Sequence, residues 1–273
     1  MNNFEFMGHV TIGQYLPSGS VIHHLDARAR IIGLGLIFFA AVFTPHIEGL
    51  LIGFIVVLAL LAAARVPIRF ALRGLIPPLP FLLILAVLQV LINPYPEHGM
   101  ILVKWWIILI SMSDILAGVI ILIRFAVLIL VLSLATFTIS TSELIHGLDA
   151  LFSPIERLGI PMRDFIMMLQ ITLRFIPFLA QSVERIAKAQ AARGADWGSG
   201  NGGLINRTRQ VIPMIVPLFV TSLRRAENLA LAMDARGYGS GPKYSSMIVF
   251  HFKPKDAGAL LLALAIGSVI LFV

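Results

Sequence analysis

The chain has 273 residues, 58% of them hydrophobic and only 13% charged, and it carries a formal charge of +7 and no cysteine. That much apolar surface exceeds what a soluble core needs, so the composition indicates an integral membrane protein. Without cysteine, disulfides, thiol catalysis and cysteine-ligated metal sites are excluded.

The opening thirty residues are polar, with Asn2, Glu5, Gln14 and Asp26, and lack a basic-then-apolar leader, so no cleaved signal peptide is expected. Gly13-Gln14-Tyr15-Leu16-Pro17-Ser18-Gly19-Ser20 reads as a turn-rich lead-in, with Asp26 placed to cap the first helix. His23 and His24 are adjacent and point to different sides, which is poor metal-ligand spacing. A catalytic His–Asp pair there lacks a nucleophile nearby in the sequence.

Five apolar segments follow, at roughly 29–45, 49–65, 74–92, 114–139 and 256–273. The first two are separated only by Thr44-Pro45-His46-Ile47-Glu48. A helix-breaking proline and a glutamate that needs water favour two helices with a tight turn over one long helix. Segment 101–113 is too short to span and carries Lys104; Trp105 and Trp106 suit an interfacial helix or a partial re-entrant turn. Arg124 falls well inside the fourth span. It is either an intramembrane structural charge facing the bundle interior, or a residue that snorkels outward if the span starts later.

Charge sets the orientation. Arg28 and Arg30 precede the first span, Arg65, Arg69 and Arg73 lie between the second and third, and fourteen more basic residues lie between the fourth and fifth. The opposite loops hold Lys104 alone. Lys and Arg accumulate on cytoplasmic loops, which places the N-terminus, the 65–73 loop and region 140–255 in the cytoplasm and the C-terminus outside. The same asymmetry accounts for the basic charge without nucleic acid.

Region 140–255 reads as helices along the membrane face. Ser140-Thr141-Ser142-Glu143 and Ser153-Pro154-Ile155-Glu156 are capping boxes, and Gly159-Ile160-Pro161 ends one helix and starts the next. Helical patterns run over 162–193, interrupted only by Pro177, and over 204–236, with Gly198, Gly200, Gly202 and Gly203 between them. Thirty residues of helix reach about 45 Å, a length suited to amphipathic helices laid on a bilayer. The fold class is therefore an all-α integral membrane protein with about five transmembrane helices and long amphipathic cytoplasmic helices between the last two. It divides into 1–139, 140–255 and 256–273.

One pattern occurs twice. Glu184-Arg185-Ile186-Ala187-Lys188-Ala189-Gln190-Ala191-Ala192-Arg193-Gly194 is echoed, 43 residues on, by Glu227-Asn228-Leu229-Ala230-Leu231-Ala232-Met233-Asp234-Ala235-Arg236-Gly237. Each Ala-Arg-Gly end taken alone is an ordinary helix C-terminus, a cation on the dipole followed by glycine. Capping needs neither the matched glutamate nor the matched alanines. Ala187, Ala189 and Ala192, with Ala230, Ala232 and Ala235, leave thin surfaces over which two helices can cross. Arg193 and Arg236 would then face the cytoplasm, each offering a rigid fork to a carboxylate or to backbone oxygens.

No phosphate-binding Gly-rich loop, no His-Glu-x-x-His and no Gly-x-Ser-x-Gly is present, and Gly239-Ser240-Gly241-Pro242-Lys243 lacks the phosphate-loop spacing. No cofactor is expected on this chain, and any ATP would be bound by another. A self-contained secondary transporter would need ion-coupling residues deep within its spans, where only Arg124 and the polar Gln89 qualify. A membrane enzyme using its arginines for an acidic lipid substrate would need a nucleophile, base or metal set that the sequence does not assemble.

Gly13-Gln14-Tyr15-Leu16-Pro17, Ser20, His23, Leu25-Asp26 and Arg28, followed by Thr141-Ser142-Glu143-Leu144-Ile145 and Leu148, are similar to the transmembrane T component of energy-coupling factor transporters, the EcfT/CbiQ family. The resemblance continues through Ser153-Pro154, Leu158-Gly159-Ile160-Pro161, Leu173-Arg174-Phe175-Ile176-Pro177, Ala189-Gln190, Ala192-Arg193-Gly194 and Ala235-Arg236-Gly237, and so covers nearly the whole chain. Ala27 stands where the family often has proline, and Arg30 where it often has lysine.

The resemblance implies a non-catalytic membrane scaffold in a prokaryotic cell membrane. Its cytoplasmic coupling helices would dock two ABC-type ATPase subunits through Ala192, Arg193 and Gly194, and through Ala235, Arg236 and Gly237. A separate small membrane-embedded S component would capture a vitamin or metal. It would rest on an apolar surface that includes Phe165, Met167, Met168, Leu173, Phe175, Phe178, Met214 and Phe219. The length of the coupling region resembles the shared type serving several vitamin-binding subunits more than a dedicated metal importer.

Overall fold

The computed structural model describes residues 16, 18–91, 101–105, 108–154, 159, 162–194, 204–239 and 252–273. In chain order these form α1 (Ala27–Phe43), α2 (Ile47–Ala63), α3 (Ile68–Arg73), α4 (Leu79–Leu91), β1 (Ile101–Trp105), β2 (Ile108–Ser111), α5 (Met112–Thr138), α6 (Thr141–Phe152), α7 (Met162–Ala192), α8 (Leu204–Ala235) and α9 (Pro254–Phe272). Among the described residues the fold is helical apart from one short hairpin. That hairpin corrects the expectation of an interfacial helix or re-entrant turn at 101–113. β1 and β2 pair antiparallel, with Val103 opposite Ile110 and Trp105 opposite Ile108. Ile101, Val103, Trp105, Ile108 and Ile110 are β-branched or aromatic, types that fit a pleated strand better than a short helix.

The five expected spans correspond to α1, α2, α4, α5 and α9. With 17 residues each, α1 and α2 extend about 26 Å, somewhat less than the roughly 30 Å hydrocarbon layer. α5, α9 and the part of α7 from Asp164 onward are long and apolar enough to cross. α7 nevertheless exposes Arg174, Arg185 and Lys188, an asymmetry absent from α5. Ile155 and Glu156 of the second capping box, the 198–203 glycine link and, apart from Leu16, the Gly13–Pro17 lead-in lie outside the described residues.

Two compact units are present, one holding α1–α6 and α9, the other α7 and α8. In the first, α9 packs along α1 and also touches α2, while α5 packs on α1, α2 and α4. Its core joins Ile37, Ala41, Val57, Leu61, Val127, Leu130, Leu134 and Ile270. Backbones come close where glycine permits: a Cβ on Gly49 of α2 would overlap the carbonyl of Ile270 in α9.

The ends of these helices are closed by side chains. Asp26 caps α1 by accepting from the Arg28 N–H at 2.9 Å, as its position in the sequence indicated. The Asp26 N–H donates to Asp256 Oδ1 at 2.8 Å, and Asp256 Oδ2 accepts from the Lys253 N–H at 2.8 Å. The buried Asp256 carboxylate thus ties the starts of α1 and α9 together, and the two helices run parallel. At the far end Thr44 is fully buried, and its hydroxyl sits between the carbonyl oxygens of Ala40 and Ile270, at 2.6 and 3.0 Å. Arg124 of α5 donates through Nη2 to the Thr44 carbonyl at 2.6 Å. Its charge therefore serves the α1–α2 turn.

The Ser140–Glu143 capping box forms, with the Ser140 N–H on Glu143 Oε2 at 3.0 Å and the Glu143 N–H on Ser140 Oγ at 3.2 Å. Glu143 does more than close its own helix. Its Oε1 accepts from Arg30 Nη2 at 2.8 Å, while Arg30 Nη1 donates to the Thr138 carbonyl. Arg30 is 4% exposed. One guanidinium thereby fixes α1 to the end of α5 and the start of α6. A Cβ on Gly147 would come within 2.7 Å of Ile31, so α6 lies close on α1. α6 consequently packs in the same unit as α1–α5 and α9.

Substituting Gly49→Ala should destabilise the protein by about 1–3 kcal/mol through overpacking against backbone, seen as a lower melting temperature in detergent. Gly35→Ala, which meets nothing within 4 Å, should leave it unchanged. Burial raises the Glu143 pKa, but the hydrogen bonds from Arg30 and Ser140 and the Arg30 charge outweigh it, leaving the group below its ordinary 4.5. A depressed carboxylate stabilises fully above its unfolded pKa and loses that contribution as pH falls through the folded value. Melting curves of wild type and Glu143→Gln should therefore differ at neutral pH and converge only in acid, as pH falls through the depressed folded pKa of Glu143.

Candidate functional site

The second unit brings two long helices together. α7 continues through Pro177, and α8 through Pro213 and Pro217. They meet where the Arg225 guanidinium of α8 lies over the rings of Phe178, 3.6 Å from the centroid, and Phe175, 5.8 Å away, both on α7. A cation held on two aromatic faces is a directional contact as well as an apolar one. Sequence reasoning assigned these two phenylalanines to a partner surface and missed Arg225, which sits in the middle of α8 without a motif around it.

The alanine repeats do not form the expected crossing. Ala187 is buried, but Ala189, Ala192, Ala230, Ala232 and Ala235 are exposed. The helices meet upstream instead, through the larger Phe175, Phe178 and Arg225. The matched glutamates also differ: Glu184 pairs with Lys188 at 2.5 Å across one helical turn, whereas Leu231 occupies the equivalent position after Glu227.

Both Ala-Arg-Gly ends adopt the same local geometry. Gly194 and Gly237 lie in the left-handed region, at φ +85° and +72°, which glycine enters without a Cβ penalty. The Gly194 N–H donates to the Ala191 carbonyl at 3.0 Å, and the Gly237 N–H to the Asp234 carbonyl at 2.8 Å. Tyr238 N–H reaches back to the Met233 carbonyl at 3.0 Å, completing a Schellman cap at the second end. The arginine just before each glycine is thus held on a closed helix terminus. Arg193 and Arg236 are exposed, as are Ala192, Ala235 and both glycines. Among the described residues neither guanidinium has a hydrogen-bond or ion-pair partner.

From the contact region, Arg193 lies about 22 Å further along α7 and Arg236 about 16 Å further along α8, at 1.5 Å per residue. Each is therefore carried away from the Phe175–Phe178–Arg225 contact on a rigid rod. Of the expected apolar surface, Phe165, Met168 and Phe219 are exposed, and Met167, Leu173, Phe175, Phe178 and Met214 are half-buried. α8 adds exposed Ile212, Ile215, Val216 and Leu223, a stripe whose spacing of three and four was legible in the sequence.

At the start of α1, Ser20 Oγ lies 2.7 Å from His23 Nδ1, and Ser18 Oγ 3.3 Å from it. Two hydroxyls therefore do reach this histidine, which the order of residues did not reveal. Ser18 also donates to the Ala64 carbonyl at 2.6 Å, and His24 Nδ1 lies 2.9 Å from the Ser20 carbonyl. These bonds stitch the lead-in to the end of α2. Among the described residues no cluster of metal-binding side chains is present.

Residues 18–246 match the CbiQ family, described as cobalt transport protein. The chain is 40% identical to the energy-coupling factor transporter transmembrane protein EcfT of Acidaminococcus fermentans over 93% of its own length and 94% of that protein's. It is 34% identical to the EcfT of Thermosediminibacter oceani over 96% and 98% of the two chains. To that of Bacillus subtilis it is 30% identical over 97% and 98%.

Replacing Gly237 by Ala should cost roughly 1–2 kcal/mol at the left-handed position. Hydrogen exchange should read this as faster opening of the last turn of α8, with the centre of the helix unaffected.

Proposed function

Because the chain belongs to the EcfT/CbiQ family and is a transmembrane component of an energy-coupling factor transporter, we propose that it transmits work from two cytoplasmic ATPase subunits to a separate substrate-binding membrane subunit. The observation that carries this reading is the matched pair of left-handed glycine caps, each presenting an exposed arginine on its own long helix. Two equivalent handles suit two equivalent or homologous docking grooves. The guanidinium fork suits carboxylate or carbonyl oxygens in each.

The chain itself takes no catalytic role in this reading, and ATP is bound and hydrolysed by the partners. When the two ATPases approach one another, they would move Arg193 and Arg236 together and pivot α7 and α8 about the Arg225–phenylalanine contact. The exposed stripe of Ile212, Ile215, Val216, Phe219 and Leu223 on α8, with Phe165 and Met168 on α7, is the surface on which the substrate-binding subunit would rest and be tilted. Choice of vitamin or metal then belongs to that subunit.

The adjoining starts of α1 and α9 support a cytoplasmic position for the segments that precede them. Both segments border the basic side of the chain, in accord with cytoplasmic placement in a prokaryotic cell membrane.

Charge reversal at both handles, Arg193→Glu with Arg236→Glu, should abolish co-purification of the ATPase subunits in mild detergent. Each single reversal should weaken it. If the double variant retains both ATPases at wild-type stoichiometry, docking does not run through these ends.

A further inference from the structure

A cavity of about 530 Å³ opens between α3 with its following turn and the last turns of α5. Its size falls within the roughly 300–1,000 Å³ typical of ligand sites. Phe70, Ile129, Leu132 and Phe137 supply apolar walls, while Arg73, Ser133 and Thr136 supply a cation and two hydroxyls. The Arg73 guanidinium is 5.6 Å from the centre of the Phe70 ring. Gly74 leaves the hydroxyl of Ser133 its space, since a Cβ there would stand 3.2 Å from Ser133 Oγ.

The cavity lies at the end of α5 where Thr138 accepts from Arg30 and Phe137 from the Leu16 N–H. That is a helix end, at headgroup depth in a membrane protein. α3 and the turn after it expose Ile68, Phe70, Leu72 and Ile76 together with Arg69 and Arg73. This mixture belongs to an element at the boundary between acyl chains and water.

We propose that this cavity binds an anionic phospholipid, with the headgroup phosphate on Arg73 and Ser133 and an acyl chain against Phe70, Ile129 and Leu132. Charge complementarity selects the ligand: one arginine in the lining, a second on the preceding turn at Arg69, and no carboxylate in the lining. Basic pockets between spans on the cytoplasmic side are suited to such headgroups. A second cavity, between α1, α9 and α5, is lined by apolar residues apart from Arg30. Arg30 is already engaged by the Thr138 carbonyl and Glu143, so this cavity has no charge to spare for a headgroup and would not discriminate among lipids. The inference needs only the membrane placement of α2, α3 and α5, and stands whether or not Arg193 and Arg236 dock ATPases.

The test is native mass spectrometry of the full-length protein titrated with phosphatidylglycerol and, separately, with phosphatidylcholine of the same acyl chains. Phosphatidylglycerol should bind more tightly. Arg73→Gln should weaken it roughly tenfold by removing a charge-assisted hydrogen bond, while Arg73→Lys keeps most of the affinity. Arg65→Gln, outside the cavity, should leave binding unchanged. Ser133→Leu, which fills the cavity without altering charge, should also lose the lipid. Equal affinity for both lipids, or binding unaffected by Arg73→Gln or Ser133→Leu, would overturn the assignment. Displacement of the lipid by millimolar inorganic phosphate would overturn it in favour of a free-anion site. Loss of bound lipid on assembly of the transporter would overturn it in favour of a protein occupant.

Discussion

Arg30 donates one nitrogen to the Thr138 carbonyl and another to the Glu143 carboxylate, from a position almost wholly out of water. An arginine buried without partners would be intolerable there, and a helix that ends at Thr138 leaves carbonyls without intrahelical partners. Each problem is the solution to the other. The same logic recurs around the membrane unit, where Asp26 and Asp256 receive N–H groups at helix starts, and Arg124 donates to the Thr44 carbonyl. Lipid offers no hydrogen bonds, so every turn near the bilayer must be closed by the protein itself. Asp26, Arg30, Arg124, Glu143 and Asp256 serve that task here.

The same kind of contact organises each of the two units separately. α6 is fastened to α1 through Glu143 and through the close approach at Gly147. α7 and α8 form their own unit around Arg225 and two phenylalanines. Between Phe152 and Met162 the chain carries a proline at Pro154, a glycine at φ +85° and another proline at Pro161, residues that do not propagate a continuous helix.

Much of this was legible from residue order because it depends on local rules. Asp26 before an apolar run, the Ser-x-x-Glu spacing at 140–143 and the glycine after each arginine are signals confined to one helix end, and each took the expected form. The partners that residue order did not name are distant ones. Arg30 and Glu143 are 113 positions apart and Arg124 and Thr44 are 80, so neither pairing leaves a periodic trace. The alanines misled in another way: small residues permit close crossing without requiring it, and the bulkier Phe175, Phe178 and Arg225 determined where α7 and α8 touch. At 101–111 the presence of tryptophan and lysine drew attention to the interface, while the β-branched pattern beneath them decided the hairpin.

The contact of α9 with the first two helices bears on how the protein is made. Asp26 meets Asp256 across 230 residues and Thr44 meets Ile270 across 226, while Gly49 is shaped to receive the backbone of α9. α1 and α2 therefore leave the ribosome long before the helix that completes their packing. Until then Thr44 lacks its Ile270 partner and the glycine face of α2 is open to lipid or to an insertion factor. Biogenesis of this subunit is thus a waiting problem, in which the earliest helices must be kept from wrong neighbours until the last one arrives.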